Sequence, residues 1–399
     1  MHDEVNPVRW PGVVVVGGGV TGLLTALELD RHGVPVLIIE QSTLCSGQTG
    51  QCHGWLHRGG VFADAGLEDF ELLNRGADWW TQLAERTGTT YGGVVCELGG
   101  RENATRVAVA SVWDHLGLPY AAVDPPSDAY RWVLSGPERA VVPLNVLRAA
   151  VTASGVVLRV GRARKFRSGP DSNWAQALVV TAGQQNRTIV AQAFVVASGA
   201  GITDLLPTPQ LSARLTRRLS FMLVVRSPDV PDGGLAIPEQ GALGLFTVPR
   251  ISANARVLLV SNFLSYAVST DISHVQASWL AGMRPTLQTY LPAVWSAVDA
   301  LWGVYSATKV EPVREFALGV ASTAVWPSSF RNVWIGVPGK LVLAPLIARE
   351  LASRVVEHLP ASQPAPDPAT LLTGMPAADW GPEEWEMTPL VSRETLFGD

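Results

Sequence analysis

The constraint that most limits what this chain can fold into lies in its first forty residues. Four consecutive valines, Val13 to Val16, are followed by Gly17, Gly19 and Gly22 at G-x-G-x-x-G spacing. A short β-branched run reads as a buried parallel strand, and glycines at this spacing open a helix directly after it. Gly17 permits the tight turn, Gly19 lets backbone approach a pyrophosphate, and Gly22 allows close packing of helix on strand. The helix, expected from Val20 to about His32, meets a stop signal at Gly33. A second apolar strand, 36–39, ends in Glu40, where a carboxylate can accept hydrogen bonds from ribose hydroxyls. Strand, helix, strand and acid in register predict a dinucleotide site for an adenosine ribose without a 2′-phosphate.

With 399 residues the chain can bury a large core and divide into two domains. Its 47% hydrophobic and 16% charged content excludes a disordered chain, and a net charge of −5 offers no broad cationic surface for nucleic acid. No run approaches the length of a membrane span, and the start lacks the pattern of an export signal. Cys45, Cys52 and Cys96 form neither an even disulfide framework nor a zinc spacing, so no metal is expected and a cytoplasmic location is the expectation.

Periodicity predicts an amphipathic helix over 67–86 and helices over 143–154, 273–290 and 341–358. Strands are expected over 156–160, 178–181, 188–197, 219–225, 243–248, 257–263 and 332–337. Nucleotide-type elements are thus interrupted by other material. The predicted fold is α/β plus α+β: a Rossmann-like domain, discontinuous in sequence, with an inserted, mainly antiparallel β substrate domain. The cofactor domain takes 1–66, 140–210 and 323–359; the substrate domain takes the helices of 67–139 and the strands of 211–322. Residues 360–399 are proline-rich and read as an irregular surface tail.

Two further segments carry chemistry. Gly199-Ala-Gly201 follows a strand but has Asp204 where a third fingerprint glycine would stand, so it reads as closing on the same cofactor rather than as a second fingerprint. The loop from Cys45 to Gly60 is rich in small residues and amides, leaving backbone N–H groups for phosphate and ribityl oxygens.

These residues carry a resemblance. Gln48-Thr49-Gly50 followed by His57 and Gly60 is similar to the Q-T-G…I-H-x-G loop of L-2-hydroxyglutarate dehydrogenases. Val195 to Ala200 resembles the V-V-x-A-x-G-A strand end of the D-amino-acid-oxidase superfamily of FAD enzymes, and Gly336 to Pro345 resembles its closing turn and helix. The resemblance covers most of 11–358 and implies FAD; some relatives attach it to a histidine or cysteine, but the spacing of Cys52 and His53 from the fingerprint does not match theirs, so non-covalent FAD is expected. It places Gly17, Gly19, Val20, Thr21 and Gly22 at the pyrophosphate and Glu40 and Gln41 at the adenosine ribose. Gln48, Thr49, Gln51, Cys52 and His53 would run along the ribityl chain and flavin. Arg164, Ala197 and Gly199 would close on the cofactor, and Gly336, Gly339, Lys340 and Leu341 would present a helix start to the flavin C2 carbonyl.

Enzymes of this kind take a hydride from a carbon bearing N or O, passing electrons on to oxygen or another acceptor. His57 is the candidate base for a hydroxyl proton, with Lys309 and Tyr305 as further catalytic candidates. The relatives' W-x-G-x-R-P return strand is replaced here by Trp302-Gly-Val-Tyr305-Ser306, which lacks the arginine that grips a substrate carboxylate. That absence counts against a simple amino or hydroxy acid held through its carboxylate, while the His57 loop favours oxidation of a C–OH bond in a small to medium organic molecule. An amine or amino-acid oxidase, and a flavoprotein with non-redox FAD, stay open as alternatives.

Overall fold

The computed structural model describes residues 7–65, 70–87, 94–169, 173–230, 233–239, 244–247, 256–262, 264–268, 271–313, 324–360 and 367–398. The chain divides into two units, 1–50, 143–216 and 310–382 forming the first, and 51–142, 217–309 and 383–399 the second.

In the first unit Val13–Val16 is buried at every position, as a strand covered on both faces must be. It is central in a six-stranded sheet ordered Ala324–Pro327, Val333–Val337, Ala193–Val196, Val13–Val16, Val36–Glu40 and Val157–Val160. All neighbours run parallel except Ala324–Pro327, which is antiparallel. The helix Val20–Arg31 follows the first glycines and ends where Gly33 adopts φ +71°, with Gly33 N–H donating to the Asp30 carbonyl. The helices Pro143–Thr152 and Ala344–Val356 pack on it.

A second sheet of this unit orders Val8–Arg9, Gln185–Val190, Ala175–Ala182 and Arg162–Ser168. The single strand expected over 188–197 is therefore two: Gln185–Val190 lies in this sheet and Ala193–Val196 in the other. Its partner segment breaks at the matching place, between Val8–Arg9 and Val13–Val16, where Pro11 supplies no N–H to a ladder. Asn332, 2% exposed, sits at the break and donates to the Ala175 and Gln192 carbonyls while accepting from Ala175 N–H.

The second unit is built on a mixed sheet. Its path runs Val391–Ser392, Leu301–Pro312, Leu215–Ser227, Arg256–Ser261, Gly244–Thr247, Gly234–Ala236, Val94–Gly100, Trp132–Ala140, Trp55–Leu56. The 67–139 stretch, read from sequence as helical, holds the helices Phe70–Arg86 and Asn103–His115 but also the strands Val94–Gly100, Ala121–Val123 and Trp132–Ala140. Gly136-Pro137 reads locally as a turn. In the structure the pairing of these strands shifts register between Val95 and Glu97 opposite it, and Gly136 lies under the Trp113 ring, where a Cβ would come within 2.6 Å.

The 360–399 expectation also changes. Val160 N–H donates to the Pro376 carbonyl, and Leu44 N–H to that of Asp379. Gly381 N–H returns a bond to the Leu44 carbonyl, and Arg148 stacks on Trp380. These residues form a strap on the first unit, while Val391–Ser392 adds an edge strand to the second. The segment also forms the short helices Pro368–Leu371, Glu384–Met387 and Arg393–Phe397, so it is less irregular than its proline-rich composition suggests.

Candidate active site

The cofactor cradle of the first unit begins at Gly17, whose φ of +108° favours glycine. A Cβ there would lie 2.5 Å from the Ala197 carbonyl oxygen, which fixes Ala197 against the fingerprint turn. At Gly22 a Cβ would meet the Gly17 carbonyl oxygen at 1.9 Å, so helix and turn touch through backbone alone. Gly19 caps the helix without a side-chain bond, and the first turn has no acidic residue. Thr49 Oγ1 accepts from Val20 N–H at 2.9 Å, tying the second loop to the helix start. Glu40 Oε2 accepts from Gly18 N–H at 2.7 Å and Oε1 from Ser42 N–H at 3.1 Å, with the side chain only half-buried.

The loop behind Glu40 is stitched to the turn. Cys45 N–H donates to the Gly18 carbonyl, and Gly50 N–H to those of Cys45 and Gly47. Cys45 itself has φ +63°, an unusual conformation for a residue with a Cβ, over-determined here by these bonds. Gln48 Oε1 accepts from Val310 N–H at 3.3 Å, and Gln41 is exposed beside Glu40. A helix start capped by glycine, free of acidic side chains and flanked by a carboxylate fits a pyrophosphate with its ribose.

The remaining cofactor candidates of the first unit lie on further elements. Arg164 donates to Thr181 Oγ1 at 2.8 Å on the four-stranded sheet. Gly336 is a packing position, since a Cβ would come within 2.4 Å of Leu351 Cδ1. Gly199 takes φ +53° in open space after Ala193–Val196. Gly339 is open as well, with only Pro312 Cδ at 3.9 Å, and is not among the positive-φ glycines; Lys340 is extended and caps the short turn Leu341–Leu343 that leads into Ala344–Val356.

In the second unit, Tyr305 on the strand Leu301–Pro312 donates to the Gln51 carbonyl at 3.3 Å. Burial drives its hydroxyl well above the usual phenol range, with Cys52, Glu383 and Glu384 adding to the effect. Burial, then Glu383, push the Cys52 thiol up to about 12. Lys309 lies on the same strand, and burial first, then Arg218, hold its ammonium below the usual lysine range. The segment 51–57 and the strand thus gather Cys52, Tyr305, Lys309 and, from the C-terminal segment, Glu383.

His57 is 6% exposed. Its ring stacks on Trp55 at 5.7 Å and meets Phe62 at 5.0 Å and His53 at 5.6 Å edge-on. His53 Nδ1 accepts from Trp55 N–H at 3.1 Å.

Glu138, 0% exposed, was not among the sequence candidates. Its Oε2 accepts from Trp55 Nε1 at 3.0 Å and Arg58 N–H at 2.9 Å, and its Oε1 from Gly60 N–H at 3.2 Å. Burial raises its carboxyl to about 7 against the pull of these donors. Its donors lie about eighty residues away in sequence, so no local pattern announces it.

Fold and cradle together define a flavin-type dinucleotide-binding oxidoreductase. The chain belongs to the FAD dependent oxidoreductase family, whose model matches residues 12–354. A probable FAD-dependent oxidoreductase of Pseudomonas aeruginosa is 24% identical over 405 residues, 94% of this chain and 97% of that protein. The crystal structure of an FAD dependent oxidoreductase from the same organism superposes with TM-score 0.71 at 18% identity, covering 96% of this chain and 99% of that one. Glycine oxidase from Geobacillus kaustophilus gives TM-score 0.63 at 18% identity, with 89% and 96% covered. Over 53 residues the chain is 45% identical to an anaerobic glycerol-3-phosphate dehydrogenase subunit A1 of Haloferax volcanii, a match spanning 13% of this chain and only 9% of that protein. The protein is an FAD-dependent oxidoreductase. No helix among the described residues is long and apolar enough to cross a membrane, and none of their His, Cys, Asp and Glu groupings could hold a metal ion.

Proposed function

We propose that this enzyme oxidises a hydroxyl-bearing carbon of a small to medium organic substrate. The observation that carries the reading is His57: a histidine enclosed by Trp55, Phe62 and His53, in the segment following the Glu40 loop. A histidine is the side chain best able to accept a hydroxyl proton near neutral pH. FAD, when bound, supplies the hydride acceptor. Lys309 would orient the substrate oxygen, and Tyr305, held by the Gln51 carbonyl, would shape the pocket. The missing arginine in the strand Leu301–Pro312 argues against a simple amino or hydroxy acid gripped through its carboxylate.

Amine oxidation is the second reading, favoured by the glycine oxidase of the same fold. Anaerobic mixing with panels of hydroxylated and aminated metabolites separates them, bleaching of the flavin marking a substrate. A general base contributes roughly 10²–10⁴-fold, so His57→Gln should slow bleaching by an alcohol by about that range while FAD stays bound. Bleaching by amines alone, at an unchanged rate in His57→Gln, would move the amine reading ahead.

A further inference from the structure

We propose that Glu138 is a positioning residue: its carboxylate clamps the loop that carries His57 and holds the imidazole in one pose. The inference rests on His57 as base, but its geometry stands apart from that role. His57 follows the short strand Trp55–Leu56, which pairs with Trp132–Ala140 in the register Trp55 to Ala140 and Leu56 to Arg139. Continuing this register brings Glu138 beside the point where the loop leaves the sheet. There its two oxygens take the indole N–H of Trp55, on whose ring His57 stacks, and the backbone N–H groups of Arg58 and Gly60, on the far side of His57. One carboxylate thus holds the chain both before and after the histidine.

The remaining contacts leave the loop little alternative. Val141 N–H donates to the Gly54 carbonyl, upstream of the clamp. Gly59, at φ +101°, and Gly60 would place a Cβ 2.4 Å from Phe70 and Leu98 respectively, so the loop is pressed on neighbouring helix and strand. Arg58 pairs with Asp78 at 2.6 Å and bonds Asn74 on the helix Phe70–Arg86. Three donors converging on one carboxyl group need both of its oxygens as acceptors. A neutral amide of the same shape turns its own N–H₂ toward one side of that set. The charged and titratable groups facing Glu138 are Arg58 from the loop, Cys96 with Glu97 beyond it on Val94–Gly100, and Arg139 next to it on its own strand.

The test reads the loop directly in the FAD-loaded protein. Histidine acylation by diethyl pyrocarbonate is followed by peptide mass spectrometry, with exposed His274 and His358 as internal references. In the wild type His57 should label slowly. In Glu138→Gln its labelling relative to the references should rise on the order of tenfold with FAD content retained, as a buried side chain is released from its clamp. The Trp55 indole N–H resonance, assigned with Trp55→Phe, should move with a midpoint near the Glu138 titration at about 7 and lose that step in Glu138→Gln. If Glu138→Gln fails to fold, Trp55→Phe takes its place: it deletes one donor and keeps an aromatic face, and should raise His57 labelling severalfold. Wild-type labelling of His57 in a folded Glu138→Gln, or in Trp55→Phe when the first variant does not fold, overturns the proposal. Full flavin reduction in His57→Gln would instead overturn the catalytic reading and leave the labelling result standing.

Discussion

Replacing Gly22 by alanine isolates the contact on which the cofactor cradle turns. The added Cβ would sit 1.9 Å from the Gly17 carbonyl oxygen and 3.3 Å from Val15 Cγ1. Reaching even a tight 3.0 Å contact requires turn and helix to part by about 1 Å. Neither can yield freely, because Val15 and Leu23 are fully buried and Val20 nearly so. Overpacking of this kind costs about 1–3 kcal/mol. If the empty protein relaxes the turn and FAD must restore it, the same energy appears as a loss of FAD affinity of about fivefold to about 150-fold. Gly19→Ala is the control, since its Cβ would only approach Thr49 Oγ1 at 3.2 Å, while Gly19 is the fingerprint position expected to let backbone approach the pyrophosphate. FAD-free protein is titrated with FAD by flavin fluorescence quenching, and its thermal midpoint is measured in parallel. Gly22→Ala should lose both midpoint and affinity; Gly19→Ala should lose affinity and keep its midpoint. A Gly22→Ala protein that binds FAD within about twofold of wild type and melts unchanged would refute the backbone-contact argument.

Other outcomes follow from the same geometry. Acid precipitation should release FAD into the supernatant, because a Cys52 thiol pushed up to about 12 stays protonated and is a poor nucleophile for attachment; flavin left on the protein would reverse that assignment. Gly381→Val should weaken FAD binding at least severalfold in the same titration, since a Cβ there would come within 2.9 Å of Thr43 Oγ1 and 3.2 Å of the Leu44 carbonyl, prising the strap from the cofactor loop; unchanged affinity would make the strap irrelevant to the cradle. Glu138 should also mark the pH dependence of stability. Its folded value, about 7, lies above that of an unfolded carboxyl, so its contribution is fully present below about pH 4.5 and is lost as pH rises through about 7. The stability of wild type relative to Glu138→Gln should therefore fall by about 3 kcal/mol across that window, measured by calorimetry, and a constant difference would contradict it.

The cofactor half of the molecule was legible because its signals are local. Four valines, three spaced glycines and a second apolar run declare strand, turn, helix and strand within one stretch of chain, and backbone sterics then dictate their contacts. The break between Gln185–Val190 and Ala193–Val196 was not legible, since it depends on which of two sheets each half joins. The substrate half hides for the same reason: Trp132–Ala140 carries Gly136-Pro137 and becomes a strand only through pairing with distant segments. Glu138 is the sharpest case, a glutamate with no distinguishing neighbours whose partners are about eighty residues away. The proline-rich end was legible as a segment wrapped on the surface, but not its short helices, nor the bonds that hold Pro376 to Val160 and Trp380 to Leu44, which join distant parts of the chain.

The threefold splitting of each unit bears on how the protein emerges from the ribosome. Val13–Val16 gains one neighbour early, from Val36–Glu40, but its other edge pairs with Ala193–Val196. At 5–20 residues per second that edge waits roughly ten to forty seconds for its partner. A bare valine edge over such an interval is a template for pairing with another nascent chain. Nor is the second unit complete until Val391–Ser392 is made. Soluble yield should therefore follow translation speed and chaperone supply more closely than the melting temperature of the finished enzyme.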